Sequence, residues 1–127
     1  FKLEYLHTVS GSGTVPSATV RIAIEGEEPI QKSAWGDGPV DATYEAINLA
    51  TGSRSTVNVD EYTIHAITSG SQAMGEVTVR LSEGDMKTTG HGASTDVIEA
   101  SAKAYIDALN RLHMLKGRQS APQQQAV

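Results

Sequence analysis

At 127 residues the chain has the size of one domain, and its 39% hydrophobic content is enough for a modest core. No apolar run approaches the ~20 residues that a bilayer span needs. Ten Lys and Arg against fifteen Asp and Glu leave a net charge of −5 at pH 7, which disfavours a phosphate backbone or an anionic membrane surface as partner. With no Cys there is no disulfide framework, thiolate metal site or cysteine nucleophile, which is compatible with a reducing compartment.

Phe1–Val9 reads as a strand rather than a charged leader with an apolar core, so the chain is expected to be a fragment of a longer one. In this strand Leu3, Tyr5, His7 and Val9 alternate with Glu4, Leu6 and Thr8. Ala18, Val20, Ile22 and Ile24 alternate in the same way up to Gly26. This period of two marks strands with one buried face. A third strand is expected from about Pro29 to Trp35. After Gly36-Asp37-Gly38, Pro39 suits the first turn of a helix, which would run to about Ala50 with Tyr44 and Ile47 inward and Gly52 just beyond. Strands follow at Tyr62–Thr68 and Val77–Leu81, with a short one at Met86–Thr89. From about Ala93 to Leu115, Ile98, Ala102, Tyr105, Leu109 and Leu112 recur at the spacing of one helical face. Asp96 and Glu99 resemble a capping pair, and Lys116-Gly117-Arg118 a basic last turn with a glycine stop. The polar segment from Gln119 to Val127 reads as a disordered tail.

The order of elements occurs twice. Gly36–Ala46 aligns on Gly90–Ala100, each giving Gly-x-Gly and then Glu-Ala, and Leu6–Ser10 aligns on Ile64–Thr68, placing His7 over His65. The expected architecture is α+β: two βββα units, repeat one about 1–54 and repeat two about 60–117, with a tail over 118–127.

No catalytic constellation appears. The carboxylates are scattered, there is no nucleophile elbow or phosphate-binding lysine loop, and His7, His65, His91 and His113 form no ligand pair. The two Gly-x-Gly segments are each expected to join a strand to a helix, where free N–H groups and the helix dipole favour an anion. The bland reading is a tight turn with close helix packing. Asp37, between the first pair of glycines, favours a ligand. An amino acid needs N–H donors for its carboxylate, a carboxylate for its ammonium and an apolar wall, and Gly36, Gly38, Asp37 and Val40 offer these together. A double-stranded RNA-binding reading fails because the last helix opens with Ser94, Thr95, Asp96 and Glu99 instead of a lysine cluster.

Taken together, GDGPVDATYEAI, EYTIHAITSGSQAMGEVTVRL and GHGASTDVIEASAKAYIDALNRL resemble the C-terminal regulatory domain of 2-isopropylmalate synthase, from Leu3 to about Leu115. The resemblance implies two βββα units related by a pseudo-twofold axis, in a cytoplasmic homodimer that binds L-leucine as a feedback inhibitor. It also implies a catalytic TIM barrel outside this fragment, where acetyl-CoA condenses with a 2-oxo acid at a divalent metal. The fragment itself is expected to bind rather than catalyse and to hold no cofactor. Carried over by motif, the effector-binding residues are Gly36, Asp37, Gly38, Val40, Val59, Tyr62, Ala66, Ala73 and Val97. Asp37 departs from the family, where an Asn can stand. Two other readings stay open: an isoleucine sensor like that of citramalate synthase, and a dimerisation module without a ligand.

Overall fold

Alternation of apolar and polar residues lays six strands into two antiparallel sheets, each covered by the helix that follows it. The protein's structure, a computed structural model, describes residues 1–53, 56–69 and 72–125, with side chains over 1–53, 56–65 and 74–118. The first unit comprises β1 (Lys2–Val9), β2 (Ser17–Ala23), β3 (Ile30–Trp35) and α1 (Pro39–Thr51). The second comprises β4 (Asn58–Ser69), β5 (Gln72–Glu83), β6 (Met86–Ser94) and α2 (Val97–Gln125). The sheets run β1-β2-β3 and β4-β5-β6, giving the expected α+β fold of repeated βββα units.

The core sits on the two central strands. Ala18, Val20 and Ile22 of β2 and Val77, Val79 and Leu81 of β5 are buried. Against them lie Ala42, Ala46, Ile47 and Ala50 of α1, and Ala104, Tyr105, Ala108 and Leu109 of α2. Each fully buried Val, Ile or Leu contributes about 1.5–3 kcal/mol. The alanines bring the helices close to the sheets and to each other.

Four expectations need correction. Leu3, Tyr5, His7 and Val9 do not share a face, because the register of β1 on β2 slips between Leu3 and Tyr5. A bulge adds one residue to a strand and flips the alternation beyond it. Leu3, Leu6 and Thr8 are therefore half-buried while Tyr5, His7 and Val9 are exposed. β4 repeats the slip between Val59 and Glu61. Aligned on these bulges, Leu6 (opposite Val20) corresponds to Tyr62 (opposite Val79), so the counterpart of His7 is Thr63 and not His65.

The second Gly-x-Gly is not a strand–helix turn. β6 extends to Ser94, so Gly90 and Gly92 lie inside it. A Cβ on Gly90 would run into the Ala104 carbonyl and the Ala108 amide, and one on Gly92 into the Ala100 carbonyl and the Ala104 amide. These glycines form the saddle on which α2 rests.

Finally, α2 begins at Val97 rather than Ala93 and passes through Gly117 to Gln125, so the expected glycine stop does not end it. Gly117 does not take the positive φ of a helix-terminating glycine; Gly52, which ends α1, does (φ 73°).

Candidate functional site

The turn from β3 into α1 is shaped by its glycines. The Gly36 amide donates to the Pro16 carbonyl at 3.1 Å. A Cβ on Gly36 would stand 2.7 Å from the Ala42 nitrogen, so no larger residue fits so close to the helix. Gly38 is the N-cap, with an extended backbone (φ −154°, ψ 176°) and no side chain to bond the first turn. Its carbonyl accepts the Ala42 amide at 2.9 Å. Pro39 has no N–H, so the amides of Val40 and Asp41 are the helix donors left without an intrahelical acceptor. Beside them the exposed Asp37 carboxylate makes no hydrogen bond or ion pair with any described residue. Asp37, Asp41 and Glu45 line an open cleft of about 620 Å³ together with Trp35, which is 74% exposed. Val40 is half-buried against the core.

The start of α2 is built differently. The Asp96 carboxylate accepts the Ile98 amide at 2.9 Å, so this helix caps itself. With Gly90 and Gly92 inside β6, the anion site expected at the second Gly-x-Gly is not formed.

A cluster of tyrosines joins α1, β4 and α2. Ser101 gives its single proton to the Val97 carbonyl at 2.7 Å, so the Tyr62 hydroxyl, 2.7 Å from Ser101 Oγ, is the donor of that pair. The Tyr44 ring meets Tyr62 edge-on at 6.2 Å and stacks on Tyr105 at 4.3 Å. The Tyr105 hydroxyl donates to Asn48 Oδ1 at 2.5 Å, and burial pushes its pKa up to about 12. The Tyr44 hydroxyl is buried beside Ser101, which favours its ionised form slightly, and no described group meets it at full hydrogen-bonding geometry. Burial first, then the neighbouring Tyr62 and Tyr105, push its pKa far above the ordinary phenol value.

Six of the nine sequence-derived residues fall into two groups. Gly36, Asp37, Gly38 and Val40 form the open turn. Tyr62 and Val97 meet through Ser101, and Tyr44 joins them to α1. A Cβ on Gly75 would stand 2.9 Å from Val97 Cγ2, so Gly75 makes room for Val97. Val59 is 44% exposed, next to the β4 bulge. Ala66 and Ala73 pair in the β4–β5 hairpin with Gly75 and Thr68, and their side chains lie outside the described residues. In the sequence Tyr44 reads as a core residue of α1. The signal available was its hydroxyl, which a core position does not explain. His91 bonds Thr78 and His113 tilts against Phe1, and no three His, Asp or Glu side chains converge as metal ligands among the described residues.

A family model describing the LeuA allosteric (dimerisation) domain matches residues 1–113. The chain belongs to this family. The LeuA domain here is 50% identical over 113 residues to a 2-isopropylmalate synthase of Carboxydothermus hydrogenoformans, covering 88% of the chain and 22% of that relative. It is 47% identical over 116 residues to one from Syntrophus aciditrophicus, covering 91% and 22%. With one from Heliobacterium modesticaldum the identity is 44% over all 127 residues, 24% of that relative. The chain thus spans about a quarter or less of the curated relatives it matches. No helix among the described residues is long and apolar enough to cross a membrane.

Proposed function

We propose that this LeuA domain is the regulatory, dimer-forming part of a 2-isopropylmalate synthase and binds L-leucine as a feedback inhibitor. The observation that carries the reading is the turn at Gly36–Gly38. There an uncapped helix N-terminus, which favours a carboxylate, adjoins the unpartnered Asp37 carboxylate, which favours an ammonium. A free α-amino acid presents these two charges side by side, and Val40 offers an apolar contact. Condensation of acetyl-CoA with a 2-oxo acid, and the divalent metal that serves it, belong to a barrel outside this chain, so no catalytic step is assigned to the residues here. Inhibition requires that the effector bind two states of the whole enzyme with different affinities, and a dimer interface that shifts on binding supplies such states.

Calorimetric titration of the chain with L-leucine, L-isoleucine and L-valine tests this. Leucine is expected to bind most tightly, and Asp37→Ala to weaken it by about 10- to 100-fold, the range for one hydrogen bond to a charged group. Preference for isoleucine would instead make the domain an isoleucine sensor. A folded dimer that binds none of the three would leave dimerisation as its role.

A further inference from the structure

We propose that the Tyr44 hydroxyl is a buried hydrogen-bond donor of the effector site, aimed at the carboxylate of the bound amino acid. The proposal rests on the amino-acid reading above and adds a specificity-determining residue to it.

The first support is an imbalance among three adjacent tyrosines. Tyr62 donates to Ser101 and Tyr105 to Asn48, while Tyr44, only 8% exposed, has no partner among the described residues. A buried hydroxyl left unbonded is costly, and Phe at this position would avoid that cost. Placement is the second. Tyr44 stands in the second turn of α1, and helical side chains lean back towards the helix N-terminus, here towards Val40 and the Gly36–Gly38 turn. Tyr62 and Ser101, which is bonded to the Val97 carbonyl, flank it from the second unit. The hydroxyl thus lies where α1, Tyr62 and the first turn of α2 converge.

Asp37 and Asp41 make the cleft beside the Gly36–Gly38 turn acidic, so a second carboxylate is held by donors that carry no negative charge themselves. The α1 amides are one set, and a phenol that burial keeps protonated is another. The half-buried Tyr62 ring meets Tyr44 edge-on and flanks its hydroxyl from the second unit.

Tyr44→Phe in this chain is the test, read by thermal melting without ligand and by titration with L-leucine and L-leucinol, which keeps the ammonium and side chain but lacks the carboxylate. The melting temperature is expected to stay equal or rise, leucine affinity to fall at least tenfold, and the leucine-to-leucinol preference to shrink by a similar factor. Unchanged leucine affinity would overturn the assignment, as would equal losses for both ligands or a clear drop in melting temperature. Wild-type protein that binds leucine beside an indifferent Tyr44→Phe refutes Tyr44 alone. Wild-type protein that binds no branched-chain amino acid refutes the effector reading and Tyr44 with it.

Discussion

The two Gly-x-Gly segments look alike in sequence and do opposite things. Gly36 and Gly38 stand outside the strand, where they turn the chain and leave α1 without a side-chain cap. Gly90 and Gly92 stand inside β6, where the missing Cβ atoms let α2 lie on the sheet. The helix starts differ to match, since α2 is capped by Asp96 and α1 by nothing of its own. One unit is closed at this point and the other open. A duplicated fold can hold a ligand at one of its two equivalent places by leaving hydrogen-bond donors unsatisfied there and satisfying them in the copy.

The largest loss is expected at Gly90. The atoms that a Cβ would strike belong to the α2 backbone and cannot rotate away, so α2 must lift from β6. Overpacking a core costs about 1–3 kcal/mol where side chains can adjust. Gly90→Ala is expected at or above the top of that range, lowering the melting temperature by roughly 10 °C or preventing folding. A Cβ on Gly38 meets nothing within 4 Å, so its replacements leave the fold intact. A Gly90→Ala protein as stable as wild type would remove the saddle argument.

The helix caps differ between the units at smaller cost. Asp96→Ala removes the bond to the Ile98 amide and is expected to destabilise by about 1 kcal/mol in chemical denaturation. Gly38→Asp runs the exchange in reverse. The backbone there is extended, a conformation open to any residue, and the new carboxylate can bond the α1 amides. Stability should rise by a few tenths of a kcal/mol while leucine affinity falls, because the helix now caps itself. Undiminished leucine affinity in this variant would show that the α1 N-terminus takes no part in binding.

Most of the fold was legible because periodicity reports burial. The bounds of β3 and α1 follow from Trp35, Pro39 and Gly52, and the buried stripe of α2 from Ala102, Tyr105, Leu109 and Leu112. What escaped were features that depend on a neighbouring element. Nothing in Leu3-Glu4-Tyr5 announces a bulge, since a bulge is set by the partner strand. Likewise Gly90-His91-Gly92 reads as a turn until α2 is known to lie across it. At the candidate site, the open turn was visible from Gly36-Asp37-Gly38 alone. The orphaned hydroxyl of Tyr44 was not, because it is defined by what Tyr62 and Tyr105 bond to instead.

The smallest expected effect concerns how the helices end. α1 stops at Gly52, whereas α2 continues past Leu115, where Lys116 pairs with Glu83 at the end of β5. The hydrogen bond from Lys116, and then one from Thr56, hold the Glu83 carboxyl below its ordinary value of 4.5. A carboxylate whose pKa is depressed by folding adds stability that is fully present above its unfolded pKa and lost as pH falls through the folded one. Glu83→Gln should therefore melt slightly below wild type at pH 7, by about a degree for a single ion pair near the surface. The gap should close as the pH drops well below 4.5, the ordinary value for this carboxyl. A gap that persists unchanged into strong acid would mean that Glu83 acts through packing rather than charge, and that α2 passes Gly117 without this tether.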